Sequence, residues 1–354
     1  MTRRPARRGS SARAALGVAP ERGHLHAMTH YIIRRILHAI PLLLMVSVVG
    51  FILINLPPGD YLDTYLIRLE SEGGTAAEEM VAGLRQRFGL DRPLHQQYVR
   101  WITNFIRGDM GESFYQRRPV VDIVRERLPV TLLLTVTTLV FTWVVAIPIG
   151  IYSATHQYTW QDNLFTVIGF FGLAVPNFLF ALVLLVGGFA LFGRAPLGLF
   201  SPEFQDAAWS IPRVIDMLKH IWIPVIVIGT AGTAGLIRVM RGNLLDVLEQ
   251  QFVQTARSKG LTERVVVYKH AVRNALHPLV MQLGLQLPEI FSGAAITSVV
   301  LNLPTLGEAY LVAVQAQDMF LAGSFLLIIT ALLIVGNIIA DVLLAILDPR
   351  VGFD

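Results

Sequence analysis

Residues 128–154 read LPVTLLLTVTTLVFTWVVAIPIGIYSA, 27 consecutive positions without an Asp, Glu, Lys or Arg. A hydrocarbon core about 30 Å thick needs roughly 20 apolar residues wound as a helix to cross it. This stretch therefore reads as a membrane span. Working outward, residues 33–56, 164–192, 221–237, 278–301 and 322–347 meet the same test. The bulk numbers agree: of 354 residues 54% are hydrophobic and 15% charged, where a soluble domain carries about 25% charge. The mean hydropathy is +0.57. The expected fold class is an all-α integral membrane protein with six transmembrane helices.

Several features qualify the spans. Pro41, Pro148, Pro176, Pro224 and Pro288 lie inside them, tolerable where neighbouring helices re-satisfy the freed carbonyls. Gly229, Gly232 and Gly235 recur along the fourth span and permit close helix approach; a lipid-facing kink is the plainer reading of each. The absence of cysteine excludes a disulfide framework and a thiolate metal site. A pI near 9.5 could suggest nucleic acid, yet the basic residues sit in blocks beside apolar runs, which reads as a topology signal. Residues 1–27, rich in Arg, Gly, Ser and Ala without apolar period, read as a disordered basic tail, or as an over-long start with Met28 the initiator. Residues 28–354 read as a single transmembrane domain.

Orientation follows from Lys and Arg. Eight arginines precede or open the first span, and seven basic residues (Arg238, Arg241, Arg257, Lys259, Arg264, Lys269 and Arg273) lie between the fourth and fifth. Arg350 follows the sixth, and residues 302–321 have none. Placing both termini in the cytoplasm puts these blocks inside. Ten arginines in residues 57–127 are matched by eleven acids, in a segment long enough to escape the rule. That segment reads as a helical extracytoplasmic insert. Thr75 and Glu78 make a capping box whose helix Gly89 stops. Pro93 opens another, with Leu94, Tyr98, Trp101 and Phe105 on one face until Gly108. These helices pack on the membrane surface, against a partner, or as a cap over the bundle.

Residues 241–277 are too polar to enter lipid and fall on the cytoplasmic side. Leu245, Leu248, Phe252 and Ala256 share a helical face until Gly260, and Thr262 can cap a second short helix with Glu263 well placed for its dipole. The expected object is a knob bent at a glycine, where small Ala256 and Gly260 let another protein approach closely. The alternative is a bare solvated loop, although long ordered loops are usually functional.

Gln254 to Gly260, reading QTARSKG, resembles the EAA loop of binding-protein-dependent ABC importer permeases. Gln254, Thr255 and Ala256 stand at the Glu-Ala-Ala positions and Gly260 has the right spacing; His270, Val272 and Arg273 replace the pattern's Ile, Leu and Pro. The run HAVRNALHP resembles the variant of the dipeptide, oligopeptide and nickel branch. YIIRRIL, LPPGD, FGLDRPLHQQYVRW, GDMGESF, RLPVTLLL, AVPNF, NLPTLG and LDPR follow that branch in order from Met28 to the end. The resemblance implies a type I importer transmembrane subunit whose EAA loop docks on an ATPase, with Gln254, Thr255, Ala256, Arg257, Lys259 and Gly260 as coupling residues. It further implies a second homologous permease, two ATP-binding subunits and an extracytoplasmic substrate-binding protein. Many branch members have a glutamate where GAAITSVVLNLP places Ser298, which weakens a peptide cargo and makes an oligosaccharide plausible.

Ionisable groups in a bilayer are expensive, about 2.5–3.5 kcal/mol each at a helix centre on insertion scales. Glu289 shares a face with Gln282 and Gln286 in the fifth span. That face lines the translocation path or the interface with a second permease, or it is an internal hydrogen-bonded network; Asn337 and Asp341 read as structural. The nine histidines assemble no metal pattern, and no phosphate loop, HExxH or GxSxG is present. No cofactor and no enzymatic activity are expected, and ATP hydrolysis belongs to separate subunits. The alternative function is a secondary transporter or channel working without ATPases, against which stands the lack of a visible inverted repeat.

Overall fold

The computed structural model describes residues 21–56, 62, 66, 81–83, 85–86, 89–193, 197–205, 207 and 210–347, and the side chains of these except 21–29, 192, 284, 285, 287–294 and 344–347. Twelve helices of very unequal length are named below. The long ones are α1 (Glu21–Asn55), α3 (Val120–Thr155), α6 (Ile211–Leu248), α10 (His277–Leu301) and α12 (Met319–Leu347). Between them lie α2 (Leu94–Ile106), α4 (Trp160–Ala174), α5 (Asn177–Phe192), the short α7 (Gln251–Ser258), α8 (Glu263–Val265) and α9 (Val272–Ala275), and α11 (Leu306–Gln315). A two-stranded antiparallel pair, β1 (Glu112–Ser113) with β2 (Arg118–Pro119), interrupts the expected all-helical pattern.

Among the described residues, four helices are long and apolar enough to cross a membrane: His30–Asn55, Val120–Thr155, Ile211–Leu248 and Met319–Leu343. Two bent pairs bring the number to six if each is one span: Trp160–Ala174 with Asn177–Leu191, bent by 101°, and Ala295–Leu301 with Leu306–Gln315, bent by 94°. The third expected span is thus not one straight helix. Val175 is extended before Pro176 (φ −90°, ψ 120°), as the ring of a following proline demands, so α4 ends there and α5 restarts. Pro41, Pro148 and Pro224, by contrast, sit inside continuous helices.

The expected tail also differs. Residues 21–27 form the opening of α1; residues 1–20 lie outside the described residues. So do Thr75, Glu78, most of LPPGD and Arg350. Gly89 has φ +71°, and Leu90 N–H donates to the Arg85 carbonyl at 2.9 Å.

The centre of the bundle is the pairing of α3 with α6. Thr131, Thr135, Thr138 and Thr142 are buried along one face of α3, and Thr131 and Thr135 return their hydroxyls to carbonyls four residues back. Those two hydroxyls are satisfied within the helix, whereas the Thr138 hydroxyl is buried with no hydrogen-bond partner among the described residues. A methyl carbon on Gly229 of α6 would stand 2.9 Å from the Phe141 ring, and one on Gly150 of α3 2.7 Å from Met240 Cβ. Those two glycines set the interhelical distance, as the small-residue reading of Gly229 anticipates.

The described part of the insert from Leu90 onward is anchored to the bundle. Trp101 of α2 is 3% exposed and packs with Phe51 of α1 and with Met319 and Leu327 of α12, Tyr98 and Phe105 beside it. Tyr98 and Ser47 share a hydrogen bond of 2.7 Å. Leu94 stays largely exposed. The apolar face of α2 therefore covers the bundle end formed by α1 and α12. Across the same region Arg127 pairs with Glu308 and donates to the Thr305 carbonyl, and the Thr131 hydroxyl accepts from Leu306 N–H at 2.9 Å, seating α11 on the start of α3. Arg35 of α1 meets Asp341 of α12 at 2.8 Å, in keeping with a structural role for that acid.

Candidate functional site

Residues 241–277, expected as two short helices meeting at Gly260, begin as a continuation of α6: Arg241 to Leu248 extend it beyond the fourth apolar run. The face expected from Leu245 to Ala256 is broken between Leu248 and Gln251. Polar residues do not end a helix that contains no Gly or Pro signal after Gly242. The chain then turns at Gln250, runs through α7, reverses at Gly260, and returns through α8, a π-helical turn (Val266–Ala271) and α9 to the start of α10. Residues 251–275 make an elbow.

The bend has a specific closure. Gly260 has φ +77°, Gly260 N–H donates to the Arg257 carbonyl at 2.9 Å, and Leu261 N–H reaches back to Ala256 at 3.4 Å. This is the left-handed C-terminal cap for which glycine is favoured. Nothing lies within 4 Å of a Cβ placed there, so the bend is open to its surroundings. Arg257 and Glu263 close the elbow from the side at 2.7 Å and 3.1 Å. The bidentate hydrogen bond from Arg257 holds the Glu263 carboxyl below its ordinary range. Thr262 occupies the N-cap position, yet its hydroxyl makes no capping bond; the carbonyl of Thr262 accepts from Val265 and Val266 instead.

Burial divides the elbow into two faces. Val253, Ala256, Val266, Val267, Ala271, Val272 and Ala275 form one core with Ala146, Ile151 and Ala154 of α3, with Leu236, Met240, Leu244 and Val247 of α6, and with Leu279 of α10. At roughly 25 cal/mol per Å² of apolar area, such a core makes the elbow one body with three long helices. Phe252, Leu261, Val265 and Tyr268 are exposed, Tyr268 at 60%. Apolar side chains exposed on an otherwise polar bend are the surface a partner could cover.

The sequence-derived coupling residues separate accordingly. Gln254, Thr255, Lys259 and Gly260 are exposed, and Arg257 is half-buried in its pair with Glu263. Ala256 is not at the approachable surface: it is 7% exposed and faces the chain's own core. Its smallness serves the packing of α7 against α6. Spacing does not single out Leu261, Val265 and Tyr268: Leu261 follows the turn at Gly260, Val265 ends the short α8, and Tyr268 lies in the π-helical turn, which shifts the face after Val265.

The second expected group lies in α10. Gln286 Oε1 accepts from Trp143 Nε1 of α3 at 3.0 Å, an internal bond of the network type. Gln282 is half-buried, and the side chain of Glu289 lies outside the described residues. Ser298 is fully buried, and its hydroxyl has no hydrogen-bond partner among the described residues. A position closed to solvent in this way does not line an open path in this conformation.

Comparison with known proteins bears on the whole chain. Residues 146–353 match the family described as binding-protein-dependent transport system inner membrane component, and residues 28–135 match the N-terminal part of that family's membrane component. The oligopeptide transport system permease protein AppB of Bacillus subtilis (strain 168) is 35% identical over 327 residues, covering 92% of this chain and 100% of AppB. The glutathione transport system permease proteins GsiC of Escherichia coli (strain K12) and of Salmonella paratyphi A are each 33% identical with the same coverage.

Proposed function

The chain belongs to the family of binding-protein-dependent transport system inner membrane components, and from that premise we propose that it is half of the pore of an ATP-driven importer of short peptides, driven through the elbow at 251–275. It is a multi-pass membrane permease, a transport subunit and not an enzyme, and ATP hydrolysis lies in separate subunits. Membership of this family decides against a secondary transporter or channel that works without ATPases.

The observation that carries the mechanism is the two-faced elbow. Its inner face is fused to α3, α6 and α10 by a continuous apolar core, while Phe252, Leu261, Val265 and Tyr268 project outward around an open glycine bend. A nucleotide-driven partner that grips the outer side would move the helices with it, since a packed core transmits displacement instead of absorbing it. Gln254, Thr255, Arg257, Lys259 and Gly260 belong to that gripping surface, and Ala256 supports it from inside. The bundle then alternates between inward-open and outward-open states.

The assembly we infer comprises a second homologous permease, two ATP-binding subunits and an extracytoplasmic substrate-binding protein, in lipid and without nucleic acid. The four long spans and the two bent pairs make six crossings, with the elbow and both termini cytoplasmic as the basic blocks favour and residues 57–127 outside. The cargo follows from the relatives' names: one serves oligopeptides and the others glutathione, itself a small peptide. Since Ser298 is enclosed, its difference from a glutamate gives no independent argument for an oligosaccharide. Gln282 and Glu289 are the residues of α10 we assign to the path or to the permease interface.

Replacing Gly260 by leucine tests the coupling role. A side chain in the left-handed conformation costs about 1–2 kcal/mol and fills the space a partner would use. The expected result is normal membrane insertion with uptake abolished; normal uptake by Gly260→Leu contradicts the coupling role.

A further inference from the structure

Asp162 of α4 is 2% exposed, and both of its carboxylate oxygens are occupied. Arg241 of α6 donates Nε to Oδ1 at 3.2 Å and Nη2 to Oδ2 at 3.1 Å. Oδ2 also accepts from the backbone N–H of Tyr158 at 3.1 Å. Tyr158 has φ +61°, an unusual conformation for a bulky residue, and it sits in the tight turn between α3 and α4. One carboxylate thus holds the turn in shape and ties it to α6. The fork is planar and two-pronged, which lysine cannot reproduce.

The place of Arg241 matters. It lies on the part of α6 that runs on into the elbow, one turn before Leu244, which is buried in the same core as Val253 and Ala256. That core, as described, contains residues of α3, α6, α10 and the elbow and none of α4. Further along the α4–α6 interface the contacts are between small residues: Gly172 faces Thr230, and Gly169 faces Ala234. Small surfaces of this kind permit sliding, whereas a bidentate pair on a buried carboxylate fixes register. Beyond α4 comes the 101° break to α5, so the register of α4 sets the position of the broken pair.

We propose that Asp162 and Arg241 are positioning residues that carry displacement of the elbow to the α3–α4 turn and hence to the broken pair α4–α5. The proposal rests on the reading of the elbow as the handle gripped by the ATPases. Breaking the fork leaves the elbow and its partner contact intact while α4 no longer follows, so ATP is hydrolysed without a matching movement of cargo.

The test uses the complete transporter with its ATPases and binding protein in proteoliposomes, measuring cargo moved per ATP hydrolysed. Asp162→Asn keeps the shape and an acceptor for Tyr158 but removes the charge. Arg241→Lys keeps the charge but removes the fork. Each variant is expected to hold its ATPases and hydrolyse ATP, with cargo moved per ATP lower by about tenfold, within the usual range of coupling between sites. A merely structural pair would lower assembled protein, and both rates with it, leaving the ratio unchanged; an unchanged ratio overturns the proposal. Should Asp162→Asn not accumulate, Arg241→Lys decides on the same ratio. ATPases that do not bind even the unaltered chain overturn the elbow reading and this proposal together, whereas bound ATPases with an unmoved ratio overturn this proposal alone.

Discussion

Ser113 donates a 2.6 Å hydrogen bond to Oδ2 of Asp318, 205 residues later in the chain, and both residues are fully buried. The same carboxylate accepts from Tyr115 N–H at 3.0 Å and, through Oδ1, from Leu321 N–H at 3.1 Å, while the Ser113 hydroxyl accepts from Gln116 N–H at 3.0 Å. Asp318 therefore pins the β1–β2 turn to the first turn of α12. The insert returns to the bundle at a fixed point.

Removing the carboxylate leaves the Ser113 hydroxyl and the Tyr115 and Leu321 N–H groups without this acceptor, the first and last of them in buried bonds. Each such loss costs about 1–3 kcal/mol, so Asp318→Ala is expected to destabilise the chain by several kcal/mol, and Ser113→Ala by less. Thermal unfolding in detergent measures both. An unshifted midpoint for Asp318→Ala contradicts the pinning role.

Trp143 and Gln286 join α3 to α10 through one neutral hydrogen bond. Trp143→Phe is expected to cost about 1–3 kcal/mol, the loss of one partly buried bond with its acceptor left unpaired, while the apparent affinity for cargo stays unchanged. A shifted affinity with unchanged stability would move Gln286 from the internal network to the translocation path. Ser298→Ala provides the companion measurement. Its hydroxyl is buried without a partner among the described residues, and removing an unpaired polar group from a buried site is neutral or stabilising. A large destabilisation would mean that Ser298 has a partner in the folded chain.

The elbow's side brace responds to pH in a definite direction. Arg257 depresses the Glu263 carboxyl, so the folded state releases this proton more readily than the unfolded chain does. The pair's contribution is then complete above the unfolded carboxylate value, about 4.3, and is lost as pH falls through the lower folded value. Both side chains are substantially exposed, so salt also weakens the pair. Binding of ATPase subunits to the chain is expected to be flat from pH 8 to pH 5 on this account, whether Glu263 or Glu263→Gln is present. A Glu263-dependent change within that interval contradicts the assignment.

Much of this was legible in the chain and some was not. Uncharged runs announce spans because lipid excludes charge, and Gly260 announced the bend because only a left-handed residue closes the α7 helix at that point. The break at Val175–Pro176 was harder to see, since prolines at 41, 148 and 224 look the same in sequence and remain inside helices. Whether a bundle re-satisfies a carbonyl freed by proline is a property of neighbours and is not written in the proline itself. Ala256 was assigned to the outer surface because small residues permit approach from either side; the packing of α7 on α6 and α3 decides which. In the sequence Arg241 is one positive charge among several beside a span. Its pairing with Asp162 joins residues 79 apart, and no periodicity connects them.

The most direct test of the central claim exploits the absence of cysteine from the chain, so that a single introduced thiol is unique. Leu261→Cys sits at the tip of the elbow, exposed and clear of the inner core. In the assembled transporter a short bifunctional thiol reagent is expected to join Leu261→Cys to an ATPase subunit, and a membrane-impermeant maleimide is expected to label it only from the cytoplasmic side. Labelling from the outer side with no cross-link to an ATPase would contradict the account.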